Sequence, residues 1–151
     1  MEARNMKREM RNEESESRNA KRETRNGEGA PVDWIERTYL FAVRVIKMAE
    51  HLPRTASGRA IANQIVRSAP SIVMNLEEAK GALTQPDTLH KTGISRREAR
   101  ETLRWLLLIR DAEILPASKL GSLIQEADEL VAMLTAGCKR LQEKLVRNNG
   151  R

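Results

Sequence analysis

The chain has 151 residues, which is enough for one domain with a hydrophobic core. Aromatic residues make up only 3% and charged residues 32%, and the five prolines fall mostly between segments of regular apolar spacing, a profile that favours an all-helical protein over a β-sheet. The formal net charge of +6 is compatible with an acidic partner such as RNA, DNA or an anionic protein, and equally with a basic surface that is only solvated.

The single cysteine, Cys138, rules out an intrachain disulfide and fits a reducing compartment. We interpret it as a structural thiol on the last helix rather than as a nucleophile. No apolar run approaches the ~20 residues that a membrane-spanning helix needs. The N-terminus also lacks the apolar core of a secretory signal. We therefore expect a cytoplasmic protein with no membrane partner.

Residues 1–30 form a low-complexity segment in which charges of both signs are mixed and apolar anchors are almost absent. Such a segment buries too little apolar area to offset the entropy of ordering it, so we expect a disordered or loosely helical tail. The alternative is an arm that folds on RNA, against which its nearly balanced charge argues. Gly27 and Gly29 mark the boundary with the folded part.

The first helix is predicted to begin near Asp33, a good N-cap, and to end before Pro53. Its apolar face is broad, which suggests contact with more than one neighbouring helix. One stripe consists of Trp34, Phe41, Val45, Met48 and Leu52, and it is widened by Ile35, Ala42, Ile46 and Ala49.

The second helix follows the turn at Pro53–Gly58 and is predicted to run to about Leu83. Pro70 lies inside it, and we expect a kink there without a break, because the apolar spacing stays in phase on both sides. The carbonyl of Val66 that Pro70 leaves free needs Ser68, Ser71 or water as a partner. The apolar stripe consists of Ile61, Ile65, Ile72, Leu76, Ala79 and Leu83.

The third helix is predicted from an N-cap at Asp87 to about Leu115, and the fourth from about Ser118 to Val146. Small and hydroxyl side chains in the first half of the third helix permit close approach to the second helix: Thr92, Gly93, Ser95, Ala99 and Thr102. Four long helices with short turns predict an all-α, up-down-up-down antiparallel four-helix bundle over residues 31–147. Residues 148–151 would form a short C-terminal tail.

A row of polar residues lies beside the apolar stripe of the second helix at spacings of three and four, and we call it the polar seam: Gln64, Arg67, Ser71, Asn75 and Glu78. One interpretation is structural, with the seam inside the bundle or at a subunit interface, where Arg67 and Glu78 meet opposite charges or amides. A second is a ligand or nucleic-acid surface. A third is catalytic, with Glu78 paired to Glu98 or Glu101, and no nucleophile or metal-binding histidine supports it.

Two groups of basic residues are candidate phosphate contacts. The first lies on the third helix (Arg96, Arg97, Arg100 and Arg104) and the second at the end of the fourth (Lys139, Arg140, Lys144 and Arg147). Glu98 and Glu101 are interleaved with the first group and would dilute its field, so a merely solvated face is the alternative. His51 and His90 stand alone, and no spacing typical of a metal site occurs. We predict no catalytic residue, no metal and no cofactor.

The polar seam, written Gln64-x-x-Arg67-x-x-x-Ser71-Ile72-x-x-Asn75-x-x-Glu78, resembles the signature of the bacterial 23S rRNA intervening-sequence proteins, also called the four-helix bundle or S23 family. The segments Leu89-His90-Lys91 and Glu98 to Leu106 are similar to the family's third helix. The resemblance covers roughly residues 34–145. The chain departs from the family at Leu76-Glu77-Glu78-Ala79, where Ile-Ala-Glu-Gly is common, and Pro70 would supply the bend that this glycine allows.

The resemblance implies a left-handed bundle assembled as a ring-like homopentamer, with no enzymatic activity, and a link to genes embedded in 23S rRNA. A related branch, similar to the accessory protein of diversity-generating retroelements, binds nucleic acid and a reverse transcriptase through a basic surface. Our first hypothesis is therefore a non-enzymatic oligomeric scaffold that associates with RNA or DNA. The second is a protein–protein adaptor, such as a reverse-transcriptase accessory subunit, or a self-assembling protein that does not bind nucleic acid directly.

Overall fold

The structure, a computed structural model, describes residues 31–150 as four helices joined by short turns. The helices are α1 (Pro31–Ala49), α2 (Ala56–Lys80), α3 (Gln85–Asp111) and α4 (Ala117–Asn149). No strand occurs in these residues. The chain is an all-α four-helix bundle, as the apolar spacing predicted. None of the helices in residues 31–150 is long and apolar enough to cross a bilayer.

The contacts among residues of the chain group them into two units, residues 1–37 and residues 38–151. In the first unit the structure describes only residues 31–37, which are the first turns of α1. The second unit holds the remainder of α1, all of α2, α3 and α4, and every site discussed below. The predicted tail at residues 1–30 lies outside the described residues, so its character and its boundary with the bundle stay predictions.

Helices α2 and α3 pack against each other in opposite directions. Glu78, near the end of α2, forms an ion pair with Lys91, near the start of α3. Arg67, three turns earlier in α2, contacts Glu98 further along α3. Residues late in α2 therefore contact residues early in α3, and residues earlier in α2 contact residues later in α3. This antiparallel arrangement is expected of helices joined by a short turn.

Helix α4 completes the antiparallel order. It packs against α3, and Asn148 at its end donates a hydrogen bond to Gln85 at the start of α3, at 3.1 Å. Near its beginning, Ser122 accepts a hydrogen bond from Arg44 of α1, at 3.0 Å. Because Arg44 belongs to the second half of α1, this bond joins the later part of α1 to the beginning of α4.

The core consists mainly of the apolar stripes that the helical spacing predicted, but Ile46, predicted to widen the stripe of α1, is 38% exposed. The largest fully buried side chains lie on all four helices: Phe41, Val45, Ile65, Ile72, Leu106, Ile109, Leu120, Leu130 and Leu134. Leu83 was predicted to continue the stripe of α2, and this is wrong. The helix ends at Lys80, the backbone N–H of Gly81 caps it by donating to the Glu77 carbonyl, and Leu83 is 98% exposed in the following turn.

The predicted helix starts were close but named the wrong caps. α1 already includes Asp33, because the helix begins at Pro31. The N-cap of α3 is Thr84, whose hydroxyl accepts from the backbone N–H of Asp87 at 3.2 Å. Asp87 instead lies in the first turn, where its negative charge interacts favourably with the helix dipole. Thr55 caps α2 in the same way, by accepting from Gly58 at 3.1 Å.

Helix α3 ends four residues before the predicted Leu115 because the backbone turns at Glu113. This residue has φ of 55°, in the left-handed region that usually favours glycine. The N–H of Ile114 then donates to the Ile109 carbonyl at 3.0 Å, a bond that closes the end of the helix. With no glycine or asparagine at this position, the sequence carries no signal for the stop at Asp111, and Pro116 predicts the later end near Leu115.

Pro70 leaves α2 continuous, as predicted, since the helix runs unbroken through it. The two serines considered as partners for the Val66 carbonyl bond elsewhere. Ser71 donates to the carbonyl of Arg67 at 2.8 Å, and Ser68 to that of Ile65 at 3.4 Å.

Gly58 lies where the first turn of α2 comes close to the backbone of the turn between α1 and α2. A Cβ atom at this position would lie 2.0 Å from the carbonyl oxygen of Pro53. We expect Gly58→Ala to lower the free energy of unfolding by about 1–3 kcal/mol, because the backbone must move to make room. Gly93→Ala is the control, because a Cβ atom there would meet no other atom within 4 Å. This change should raise the free energy of unfolding by about 0.5–1 kcal/mol. Urea unfolding followed by circular dichroism measures both, and equal stability of Gly58→Ala and wild type would contradict the prediction.

Candidate nucleic-acid interface

Buried hydroxyl groups line the interface between α2 and α3. Ser95 of α3 donates to the carbonyl of Ile72 in α2 at 2.7 Å, and Thr102 donates to the hydroxyl of Ser68 at 2.9 Å. Ser68, Ser95 and Thr102 are fully buried. Small side chains at these positions let the two helices approach closely enough for a direct bond to the backbone, as their spacing in the sequence predicted. Because a buried hydroxyl needs a partner, the bond from Ser95 to the backbone of α2 favours this register of α2 against α3. Thr102 also donates to the Glu98 carbonyl of its own helix at 2.9 Å.

The polar seam lies along the rim of this interface rather than inside the core. Gln64, Arg67 and Glu78 are exposed, and Ser71 and Asn75 are half-buried. Asn75 donates to the Ser71 carbonyl of its own helix at 2.7 Å. Two members of the seam thus bond within α2, and the two charged members reach α3.

Arg67 contacts two carboxylates one turn apart on α3. Its Nη1 lies 3.2 Å from Glu98 Oε2, and its Nη2 pairs with Glu101 Oε1. The same Glu101 oxygen accepts a hydrogen bond from the indole N–H of Trp105 at 3.3 Å. The hydrogen bond from Arg67 is the main cause that holds the pKa of Glu101 below its ordinary value, and it also raises the pKa of Arg67. These four side chains form a group that we call the Arg67 cluster: Arg67, Glu98, Glu101 and Trp105.

The structure does not assemble the carboxylate pair considered for catalysis. Glu78 pairs with Lys91, which lies two turns before Glu98 on α3. Glu98 and Glu101 are both bound to Arg67. Within residues 31–150, no group of three or more histidine, cysteine, aspartate or glutamate side chains is placed to hold a metal ion.

Three of the four basic residues predicted on α3 form an exposed face, and the fourth does not. Arg97, Arg100 and Arg104 are exposed, and we call them the α3 basic face. None of the three forms an ion pair with a residue in the described part of the chain. Arg96 is half-buried, and its charge acts on Cys138 of α4. It therefore lies at the α3–α4 interface.

Cys138 is buried, and its burial raises the pKa of the thiol, an effect that the nearby charge of Arg96 partly offsets. A raised pKa keeps the sulfur protonated at neutral pH and lowers its reactivity. Cys138 thus has the properties of the structural thiol that the sequence indicated.

The second predicted basic group lies on the exposed side of α4. Lys139, Arg140, Lys144 and Arg147 are all exposed, and Lys139 directly follows Cys138, the residue that Arg96 approaches. Lys139 and Arg147 line a shallow groove with Gln142, Glu143 and Val146. Arg96 of α3 therefore acts through its charge on the residue that precedes the α4 group, an influence between helices that spacing along one helix does not reveal.

These features define an all-α bundle with an arginine-rich outer face on α3 and a bonded polar seam on α2. A family model for the 23S rRNA-intervening sequence protein matches residues 32–136. The chain belongs to this family of 23S rRNA intervening-sequence proteins.

Among solved structures, the chain is similar to a protein of unknown function from the S23 ribosomal protein family of Bacteroides thetaiotaomicron VPI-5482, whose crystal structure was determined at 1.70 Å resolution. The two are 28% identical with a TM-score of 0.67, and the alignment covers 72% of this chain and 97% of the other. No curated protein matches the chain. The resemblance stated from the polar seam is thus confirmed, and the family defines the fold rather than a biochemical activity.

The Arg67 cluster makes stability depend on pH with a definite sign. The folded-state pKa of Glu101 lies below its ordinary value of 4.5. The ionised carboxylate therefore contributes its full stabilisation above pH 4.5 and loses it as the pH falls through the folded-state pKa. We expect Arg67→Ala to lower the free energy of unfolding at neutral pH by about 0.5–1 kcal/mol, a small effect because solvent screens the pair. The difference from wild type should shrink as the pH is lowered below 4.5.

Urea unfolding at a series of pH values measures this difference. Lys80→Ala is a control for the pH dependence: Lys80 is an exposed cation in the last turn of α2, where it interacts with the helix dipole, and the difference that its loss causes should stay constant through the range in which Glu101 titrates. A difference between Arg67→Ala and wild type that stays constant down to acid pH would show that the pairing with Glu101 contributes nothing.

Proposed function

We propose that this protein is a non-enzymatic scaffold that associates with nucleic acid through the α3 basic face. The observation that carries the proposal is the separation of charges on α3. Arg97, Arg100 and Arg104 point to solvent without an ion pair among the described residues, whereas the carboxylates of Glu98 and Glu101 are bound to Arg67 of α2. A helix whose acidic residues are engaged on one side presents mainly positive charge on the other.

The length of the basic face suits a phosphate backbone. Arg97 and Arg104 are seven residues apart, which corresponds to about 10 Å along a helix. Over that distance each strand of a B-form duplex presents about three phosphates. Guanidinium groups bind phosphate oxygens through paired N–H donors, so three arginines in one row provide one contact per phosphate. Lys139, Lys144 and Arg147, which are exposed on α4, are further candidates.

The family description supports the choice of RNA as the first probe, because it names a 23S rRNA intervening sequence. We expect the chain to bind a fluorescent RNA hairpin at about 50 mM KCl and to bind it much more weakly at about 200 mM, since phosphate contacts release counterions. Replacing Arg97, Arg100 and Arg104 together by Gln should make the negative slope of log affinity against log salt less steep by about 2–3, because three phosphate contacts are lost. Fluorescence anisotropy measures the affinity at each salt concentration.

A variant with the same loss of net charge provides the control. Lys47, Lys80 and Lys119 are exposed and lie on α1, α2 and α4. Their joint replacement by Gln should change the slope by less than one. Absence of binding at the lower salt concentration, or an equal loss in both triple variants, would overturn the proposal. A DNA duplex of the same sequence, tested in parallel, distinguishes RNA from general phosphate binding.

A second candidate function is self-assembly, and the exposed apolar residues of α1 and α2 favour it. Tyr39 and Ile46 are 52% and 38% exposed on α1, and Val66 and Met74 are 39% and 54% exposed on α2. On each helix they stand seven or eight residues apart, which places them on one outer stripe. Such stripes mark surfaces that pack against a partner. We propose that the partner is a further copy of the chain, in a ring of five as the family resemblance implies; a reverse transcriptase is the alternative partner.

Met74→Glu tests self-assembly, because a charge in an apolar interface is costly to bury. We expect wild type to elute as a homo-oligomer and Met74→Glu to show a smaller mass by size exclusion with light scattering. Val146→Glu is the control, since Val146 is 68% exposed at the end of α4. A monomeric wild type, or an unchanged mass for Met74→Glu, would contradict a role for this stripe.

A further inference from the structure

The Arg67 cluster and the α3 basic face both include residues of α3, and Glu101 of the cluster lies beside the arginines of the face. Glu101 follows Arg97 by four residues and precedes Arg104 by three, and both spacings place side chains side by side on a helix surface. Its carboxylate is therefore within reach of two arginines of the basic face. In the structure it pairs with Arg67 of α2 and accepts from the indole of Trp105.

Arg67 competes for this carboxylate from the neighbouring helix. Its two terminal nitrogens are divided between Glu98 and Glu101, so both acidic residues that interrupt the arginine-rich segment are drawn toward α2. The side chain of Glu98 is only 12% exposed in this arrangement. Arg97 still acts on Glu101 through its charge, but the bond from Arg67 is the larger influence.

We infer that Arg67 is a positioning residue for the α3 basic face: by holding Glu98 and Glu101 on the α2 side, it keeps Arg97, Arg100 and Arg104 available to phosphate. The inference rests on the proposed function of that face and assigns a positioning role to a residue outside it. When Arg67 is absent, Glu101 is released to pair with Arg97 or Arg104 along α3. The face then loses positive charge to an acidic residue of its own helix.

A double-mutant cycle tests this coupling, with RNA affinity as the readout. We expect Arg67→Ala to weaken binding of the RNA hairpin by about fivefold, which combines a lost charge with the released carboxylate. Glu101→Gln should restore affinity by about threefold more in the Arg67→Ala background than in wild type, because only there does Glu101 compete for the arginines. Lys80→Ala, which also removes one cation from α2, provides the matched control and should show no coupling to Glu101→Gln.

A charge-neutral variant separates positioning from net charge. Arg67→Lys keeps the cation but loses the fork of donors that reaches two carboxylates at once. We expect it to weaken RNA binding by about twofold, whereas an effect of net charge alone predicts no change. Circular dichroism confirms that each variant has the helix content of wild type.

A second readout needs no RNA. Carbon-13 carboxylate shifts of Glu101 can be followed with pH in wild type, Arg67→Ala, Arg97→Gln and the double variant. If Glu101 moves to Arg97 when Arg67 is absent, Arg97→Gln should raise its pKa more in the Arg67→Ala background than in wild type.

The outcomes are distinguishable. RNA binding by wild type with additive effects of Arg67→Ala and Glu101→Gln would overturn the positioning role and leave the proposed function intact. Equal pKa changes in the two backgrounds would overturn it as well. Absence of RNA binding by wild type would overturn the proposed function and the inference with it.

Discussion

The structure depends on the register of α2 against α3, and buried hydroxyl bonds set that register. Thr102 donates to Ser68, and Ser95 donates to the backbone of α2 at Ile72. A shift by one turn would leave the Ser95 hydroxyl buried without its partner, at a cost of about 1–3 kcal/mol. Thr102 and Ser68 also bond to backbone carbonyls of their own helices, so they lose less. Apolar packing alone tolerates such a shift more easily, because one aliphatic side chain replaces another with little loss. The hydroxyl groups therefore add specificity to an interface that the apolar stripes stabilise.

The Arg67 cluster is a consequence of that register. With Ser68 opposite Thr102, the preceding residue of α2, Arg67, comes opposite the turn of α3 that carries Glu98 and Glu101. The ion pairs themselves are screened by solvent and contribute modestly to stability. Their main effect is directional, since they determine on which side of α3 the acidic residues lie.

The parts of the fold that depend on spacing along one helix could be predicted from the sequence. Ile65, Ile72 and Leu76 recur at helical intervals and are buried. Leu83 has the same phase and is exposed, because the helix stops at a capping bond from Gly81 that periodicity does not show. The end of α3 depends on the left-handed backbone of Glu113, a conformation for which glutamate gives no signal.

The candidate site shows the same division. Exposure of Arg97, Arg100 and Arg104 follows from their place opposite the core on α3, so the sequence could identify them. The partner of Glu101 could not be identified in this way. Within α3 the neighbours of Glu101 are Arg97 and Arg104. Glu101 pairs with Arg67 instead because of the register of α2 against α3. Arg96, which helical spacing assigns to the same face, is half-buried, and its charge acts on Cys138 of α4.

The two proposed surfaces lie on different helices, and this separation has a consequence for binding strength. The outer apolar residues belong to α1 and α2, whereas the exposed cations belong to α3 and the end of α4. Assembly through the apolar stripes would use residues other than the exposed cations of α3 and α4. Several basic faces held in one assembly would then bind one nucleic acid together, with an avidity well above that of a single face. A weak, salt-sensitive contact per copy is therefore compatible with firm association of the whole assembly.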